Sequence, residues 1–265
     1  MERPQKKDIN PIRPMGSYFE IDKEGCIVNP ASVEKIQGEW KPVLEKVINL
    51  YKELYKDNLV SVCVRGSVAK GQAIPYISDI DTFAIVKDDH EEIDRELEEE
   101  KRNAIVKEFP FASGIEMWAL PLSSVKDEGA LMNQSVSIFG EDVPYEKMKF
   151  SKDLALHAPH FESRHRKLLE ILEQDYETEK VLKRVDWLGK GILRTAMELV
   201  IDRSGKYTRD LYPCYETFSK FYPDKEKEMR KVLELTLNPT DDKKVIQETL
   251  LPISEWLLEE TKKYF

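Results

Sequence analysis

The chain has 265 residues, 41% of them apolar and 34% charged, the balance of a folded globular protein with one large core or two modest ones. Its formal net charge of −9 repels polyanions in general and gives no footprint for non-specific duplex binding. The longest apolar runs, Leu59 to Val64 and Phe83 to Val86, fall far short of the roughly 20 residues a membrane span needs, so no membrane partner is expected.

Residues Met1 to Arg13 mix charge with proline and lack the apolar stretch of a secretory leader, which makes the cytoplasm the expected location. Cys26, Cys63 and Cys214 are odd in number and widely spaced. That pattern fits a reducing compartment and speaks against a disulfide framework or a zinc cluster.

The opening segment, with Pro4, Pro11, Pro14 and Gly16, reads as an irregular arm. Asn29-Pro30-Ala31-Ser32 then leads into a helix over Val33 to Leu54, where Ile36, Trp40, Val43, Leu44, Val47, Ile48, Tyr51 and Leu54 recur three and four apart. Pro42 inside that span requires a position near a helix start or a kink. Leu59 to Val64 is a β-rich run that stops at Arg65-Gly66-Ser67, and a turn-rich stretch through Gly71 and Pro75 follows.

A second strand is predicted over Ile80 to Val86, with Asp88-Asp89 in the turn behind it, and a helix over Glu91 to Phe109 whose acidic face is solvated. Gly114 to Leu120 reads as a third strand, Ile115, Met117 and Ala119 alternating with Glu116 and Trp118. After about Ser151 the composition turns to Leu, Glu, Lys and Arg. Helices are predicted over Ser163 to Gln174, Glu179 to Arg203, Cys214 to Tyr222, Lys225 to Leu237 and Asp241 to Lys263, with Asp241-Asp242 as a helix cap. The fold is therefore read as α+β: a small mixed sheet flanked by helices in a domain over 1–150, then a helical bundle over 151–265.

Chemistry concentrates between two strands. Ser78-Asp79-Ile80-Asp81 opens the second of them, and side chains two apart on a strand share a face, so the carboxylates of Asp79 and Asp81 converge. Two like charges that close are costly unless a cation lies between them, and Mg²⁺ is the hard ion that favours such oxygens. Gly66-Ser67, ending the preceding strand, lets backbone and hydroxyl approach a phosphate. Glu116 stands isolated among apolar residues on the next strand, as a metal ligand or a general base. Lys70 could reach a phosphate or lie at the surface. Trp118, on the same predicted face as Glu116, suits either stacking on a ligand or the core. His157, His160 and His165 lack paired cysteines or metal-binding spacing, and His160 with Arg164 is read as lining a helix start.

Gly66-Ser67, a spacer of about ten residues, Asp79-x-Asp81 and the later Glu116 together resemble the nucleotidyltransferase superfamily that includes DNA polymerase beta and the aminoglycoside nucleotidyltransferases. The resemblance implies transfer of a nucleoside monophosphate from an NTP, ATP foremost, to an acceptor hydroxyl with release of pyrophosphate. It implies two Mg²⁺ ions on Asp79 and Asp81, with Glu116 completing the site and Gly66 and Ser67 on phosphate.

A weaker likeness to the second domain of bacterial antibiotic nucleotidyltransferases runs through Lys190-Gly191-Ile192-Leu193-Arg194 and Gly205-Lys206-Tyr207-Thr208-Arg209. It implies Lys190, Arg194, Tyr207 and Arg209 as nucleotide-binding residues; a helix face paired to local carboxylates such as Glu198 and Asp210 is the plainer reading. The acceptor is expected to be a small, aminoglycoside-like molecule, to which the acidic surface is suited. A tRNA or protein acceptor, or a non-catalytic nucleotide-binding regulator, are the competing readings.

Overall fold

The computed structural model describes residues 10–89 and 93–265, and these form two compact units: Glu20–Lys149, and Phe150–Phe265 together with the residues up to Phe19. Among the described residues no helix is long and apolar enough to cross a membrane.

The first unit is built on a five-stranded mixed sheet. Its strands are β1 (Leu59–Arg65), β2 (Ile80–Val86), β3 (Ile115–Glu116), β4 (Ala119–Pro121) and β5 (Ser135–Gly140), in the order β3-β2-β1-β5 with β4 also beside β2. β1 runs antiparallel to β2 and β5, whereas β3 and β4 run parallel to β2. Ile80 lies opposite Ile115 and Ala84 opposite Ala119, so β3 and β4 keep one register. The strand expected over Gly114 to Leu120 is thus real but interrupted at Met117 and Trp118.

The helices of this unit are α1 (Lys41–Tyr55), the single turn α2 (Gly66–Ala69), α3 (Arg95–Glu108) and the single turn α4 (Gly129–Met132). α1 begins at Lys41 rather than Val33, because Pro42 occupies its first turn, where a missing N–H costs nothing; two 3₁₀ turns, Val33–Lys35 and Gly38–Trp40, take up the residues before it. Asp94 caps α3 by accepting from the N–H groups of Glu96 and Leu97 at 3.0 Å. The expected start of that helix at Glu91 falls outside the described residues.

Alternation along the strands divides the sheet's two faces. Val62, Val64, Ala84 and Val86 pack with Val43, Val47 and Tyr51 of α1, while Cys63, Phe83 and Ile85 pack on the other side with Leu120, Val125 and Met132. Asp79 and Asp81 fall on the second face by the same period, at the end of β2 where its apolar cover stops.

The second unit holds α5 (Phe161–Glu173), α6 (Thr178–Glu198), the single turn α7 (Ile201–Ser204), α8 (Leu211–Phe221), α9 (Glu226–Leu237) and α10 (Lys243–Tyr264). Its core joins Leu188, Ile192, Phe218, Val232, Ile253 and Leu257 from four of them. The helix expected to reach Arg203 ends at Glu198, with α7 as a separate turn. Asp242 caps α10 by accepting from the N–H groups of Lys244 and Val245, and the backbone N–H groups of Asn10, Ser17 and Phe19 donate to the Asn238 and Asp210 side chains and the Tyr207 carbonyl respectively.

α6 approaches α9 closely at Gly189, where an added Cβ would run into the Thr236 side chain, whose hydroxyl already donates to the Val232 carbonyl at 2.7 Å. Gly189→Ala is therefore expected to lower unfolding free energy by about 1–3 kcal/mol through overpacking, read as a reduced urea midpoint. An unchanged midpoint would mean the two helices are not packed this tightly.

Candidate metal centre

Three carboxylates meet at the edge of the sheet. Ligand oxygens of Asp79, Asp81 and Glu116 all lie within 4.8 Å of one another, with Asp79 and Glu116 exposed and Asp81 half-buried. Asp79 and Asp81 share a face because they are two apart at the mouth of β2. Glu116 joins them because the parallel register sets it directly opposite Asp81.

The turn before β2 fixes the entry. The Ser78 hydroxyl accepts from the Ile74 N–H at 2.9 Å, its backbone carbonyl accepts from Ser113 N–H at 3.0 Å, and Ile80 N–H donates to the Gly114 carbonyl at 3.0 Å. Tyr76 in that turn takes a left-handed φ of 67° and is 75% exposed, a conformation that costs a bulky residue energy and is held by its surroundings.

Gly66 closes the other side. Its φ is +71°, and a Cβ at that position would collide with a carboxylate oxygen of Asp81. Glycine is needed there twice over, for the backbone angle and for the closeness of the acid. Ser67 follows, half-buried in the single turn α2. Lys70 is also half-buried at the end of that turn.

A residue the sequence reading passed over is Arg65. It lies opposite Asp81 in the antiparallel register, hence on the same face, and its Nε is buried without a hydrogen-bond partner. Its place could have been found only by pairing β1 with β2 in register, which no local motif encodes. Trp118 sits farther along the carboxylate face, stacked on Phe83 with ring centroids 4.9 Å apart, half-buried and part of the packing there.

The donor set fits a hard divalent cation. Three carboxylates without sulfur or imidazole favour Mg²⁺ over softer ions, and three negative charges this close repel one another until a cation shares them. A second group, Asp22, Glu24 and Cys26, also lies within ligand distance, but Asp22 is already engaged as acceptor for the N–H groups of Glu24 and Cys26 at 3.0 and 2.8 Å. That group is a turn, not a cation site.

In the helical unit the expected nucleotide-binding residues stand as follows. Lys190 is ion-paired with Asp186 at 2.7 Å. Arg194 donates through Nε to the Arg209 carbonyl at 3.2 Å, and burial followed by the Arg209 charge lowers its pKa. Tyr207 is buried with its hydroxyl donated to the Leu154 carbonyl at 3.0 Å and its ring stacked on Phe19. Glu198, 1% exposed, does not pair with Lys190; it accepts the N–H groups of Leu156, His157 and Ala158 at 2.7–3.0 Å.

Arg164, read with His160 as lining a helix start, belongs to the same neighbourhood. It lies over the Trp187 ring at 3.7 Å and reaches His157 Nδ1 at 3.2 Å, and burial together with the Arg194 charge pushes its pKa down to about 10. Burial, then Arg209, Arg194 and Arg164, push His157 down to about 2, so the imidazole is neutral and the cluster is cationic through its arginines. His165 bonds the Ser254 hydroxyl at 2.9 Å; the three histidines do not form a metal group among the described residues.

Comparison with known proteins bears on the first unit. Residues 44–114 match the model of the nucleotidyltransferase domain family. That span contains Gly66, Ser67, Asp79 and Asp81 and stops two residues before Glu116, whose membership in the site rests on register and distance. No curated protein matches the chain. Among solved structures, one similar to it is a spectinomycin adenyltransferase from Enterococcus faecialis with ATP and spectinomycin, at 11% identity, covering 84% of this chain and 99% of that one with a TM-score of 0.46.

Gly66→Ala places a side chain on a left-handed backbone against the Asp81 carboxylate. It is expected to cost about 1–2 kcal/mol from the backbone alone, measured by urea unfolding, and to weaken divalent-ion binding measured by calorimetry. Wild-type values for both would show that the close approach of residue 66 to Asp81 is unimportant.

Proposed function

We propose, for a chain whose residues 44–114 match the nucleotidyltransferase domain family, that it moves a nucleoside monophosphate from an NTP, ATP foremost, to the hydroxyl of a small acceptor and releases pyrophosphate. The observation that carries this reading is the convergence of Asp79, Asp81 and Glu116 within 4.8 Å, beside a glycine that nothing larger could replace without striking Asp81.

The acceptor oxygen forms a bond to the α-phosphorus while the bond to the bridging oxygen breaks, and pyrophosphate carries away that electron pair. Asp79 and Asp81 would hold two Mg²⁺ ions, with Glu116 as the third carboxylate. When bound, such ions acidify the attacking hydroxyl and neutralise charge on the leaving group. Glu116, exposed and opposite Asp81, is also positioned to take the hydroxyl proton itself. Gly66 and Ser67 would supply backbone N–H groups and a hydroxyl to the phosphate oxygens.

Lys190, Arg194 and Arg209 are assigned to nucleotide binding on charge, with Tyr207 acting from behind through its hold on Leu154. The net charge of −9 favours a cationic acceptor such as an aminoglycoside-like compound.

Incubation with each α-labelled NTP and Mg²⁺, in the presence of aminoglycosides, tRNA or protein, reads the reaction by where label appears. Label on the small molecules is expected; label on polymer, or none anywhere, would overturn the acceptor or the activity. Asp79→Asn and Asp81→Asn are expected to reduce transfer by about a hundredfold or more while staying folded. Mg²⁺ at a hundredfold excess over its Kd should stabilise the wild type by about 2.7 kcal/mol, and the Asp81→Asn variant by much less. Full transfer in either variant would remove the metal assignment.

A further inference from the structure

The interruption between β3 and β4 is filled by side-chain hydroxyls. Trp118 N–H donates to the Tyr51 hydroxyl at 3.2 Å, and that hydroxyl donates to the Trp118 carbonyl at 3.3 Å and lies 3.2 Å from Thr82 Oγ1. Thr82 Oγ1 in turn donates to the Glu116 carbonyl at 2.7 Å. Because the one Thr82 proton goes to Glu116, the Thr82 oxygen can only accept from Tyr51, whose single proton it shares with the Trp118 carbonyl. The result is a hydrogen-bond network that joins both backbone groups of Trp118, through two hydroxyls, to the carbonyl of Glu116, and such networks strengthen the bonds in them.

Both hydroxyl residues are buried, Tyr51 at 1% exposure and Thr82 at 0%. Burial pushes the Tyr51 phenol up, so it keeps the proton it donates. Normal ladder bonds resume on either side, with Ile80 N–H on the Gly114 carbonyl at 3.0 Å and Ala84 N–H on the Trp118 carbonyl at 2.9 Å. Thr82 faces α1, the opposite side from Asp81, so the network touches the backbone of Glu116 and not its carboxylate. The carboxylate itself is exposed, and its position is inherited from the backbone beneath it.

We propose that Tyr51 and Thr82 are positioning residues that lock the 116–118 backbone and thereby hold Glu116 opposite Asp81 in the metal centre. The inference rests on the reading of Asp79, Asp81 and Glu116 as cation ligands. It adds two residues from the core side of the sheet, where no ligand contact would draw attention to them.

The test uses the full chain without NTP, with Mn²⁺ as the probe ion, its affinity measured by calorimetry, and with amide hydrogen exchange followed at Trp118, Ile80 and Ala84. Thr82→Val keeps shape and removes the hydroxyl; Thr82→Ser keeps the hydroxyl; Tyr51→Phe removes the phenol oxygen alone. Thr82→Val and Tyr51→Phe are expected to weaken Mn²⁺ binding about tenfold, in the range of other outer-shell changes, and Thr82→Ser to restore wild-type affinity. Tyr51→Phe should also speed exchange at Trp118 while Ile80 and Ala84 keep their protection, a local signature that general destabilisation would not produce.

Wild-type Mn²⁺ affinity in both Thr82→Val and Tyr51→Phe, or exchange that rises equally at all three amides, would overturn the proposal. A Glu116→Gln variant separates the two layers: unchanged Mn²⁺ affinity there refutes the ligand reading and the proposal with it. Lost affinity in Glu116→Gln with none lost in Thr82→Val and Tyr51→Phe refutes the positioning role alone.

Discussion

The convergence of three carboxylates at one sheet edge is the constraint on which the proposed chemistry of the first unit depends. Asp79, Asp81 and Glu116 are held together by a parallel register that sets Glu116 opposite Asp81 and by a turn that pins Ser78 and Ile80. A packed sheet can fix such a convergence because its backbone is anchored by a core that includes Trp40, Tyr51, Phe83 and Ile85, all buried. Such crowding is the feature that suits the edge to a multiply charged cation under the proposed function.

Much of this was legible in the chain itself. The strand over Ile80–Val86 and the shared face of Asp79 and Asp81 follow from a period of two, which is a local property. The helical second half follows from a period near 3.6 and from its proline and glycine breaks. Glu116 could be picked out as a lone acid in an apolar run, although its neighbour across the sheet could not.

What the sequence concealed depended on partners distant in the chain. β5 was not anticipated because Ser135, Ser137 and Gly140 dilute its pattern; it is a strand by virtue of pairing with β1 and of the Ser61 to Ser137 hydroxyl contact at 2.9 Å. Helix α1 was placed too early because Ile36 and Trp40 continue the apolar period through two 3₁₀ turns, and only Pro42 marks the true start. Tyr207 carried a phosphate-like signature in its basic surroundings, yet its hydroxyl is donated to Leu154 in the interior. Arg65 on the carboxylate face and the burial of Arg164 over Trp187 were invisible because charge alone does not say which arginine a fold turns inward.

β2 serves two faces at once: Thr82 and Ala84 look toward α1, Asp81 and Phe83 toward the carboxylates. Selection on either side of this strand is therefore coupled to the other, and a substitution that improves the interior shifts the reactive edge. Exposed side chains that bear no such double duty, such as those of Tyr76 and Ile77 at 75% and 63% exposure, have more latitude, although the backbone beneath them fixes the entry to β2. An invariant spine beside a permissive rim is the evolutionary pattern this division of labour would leave among descendants.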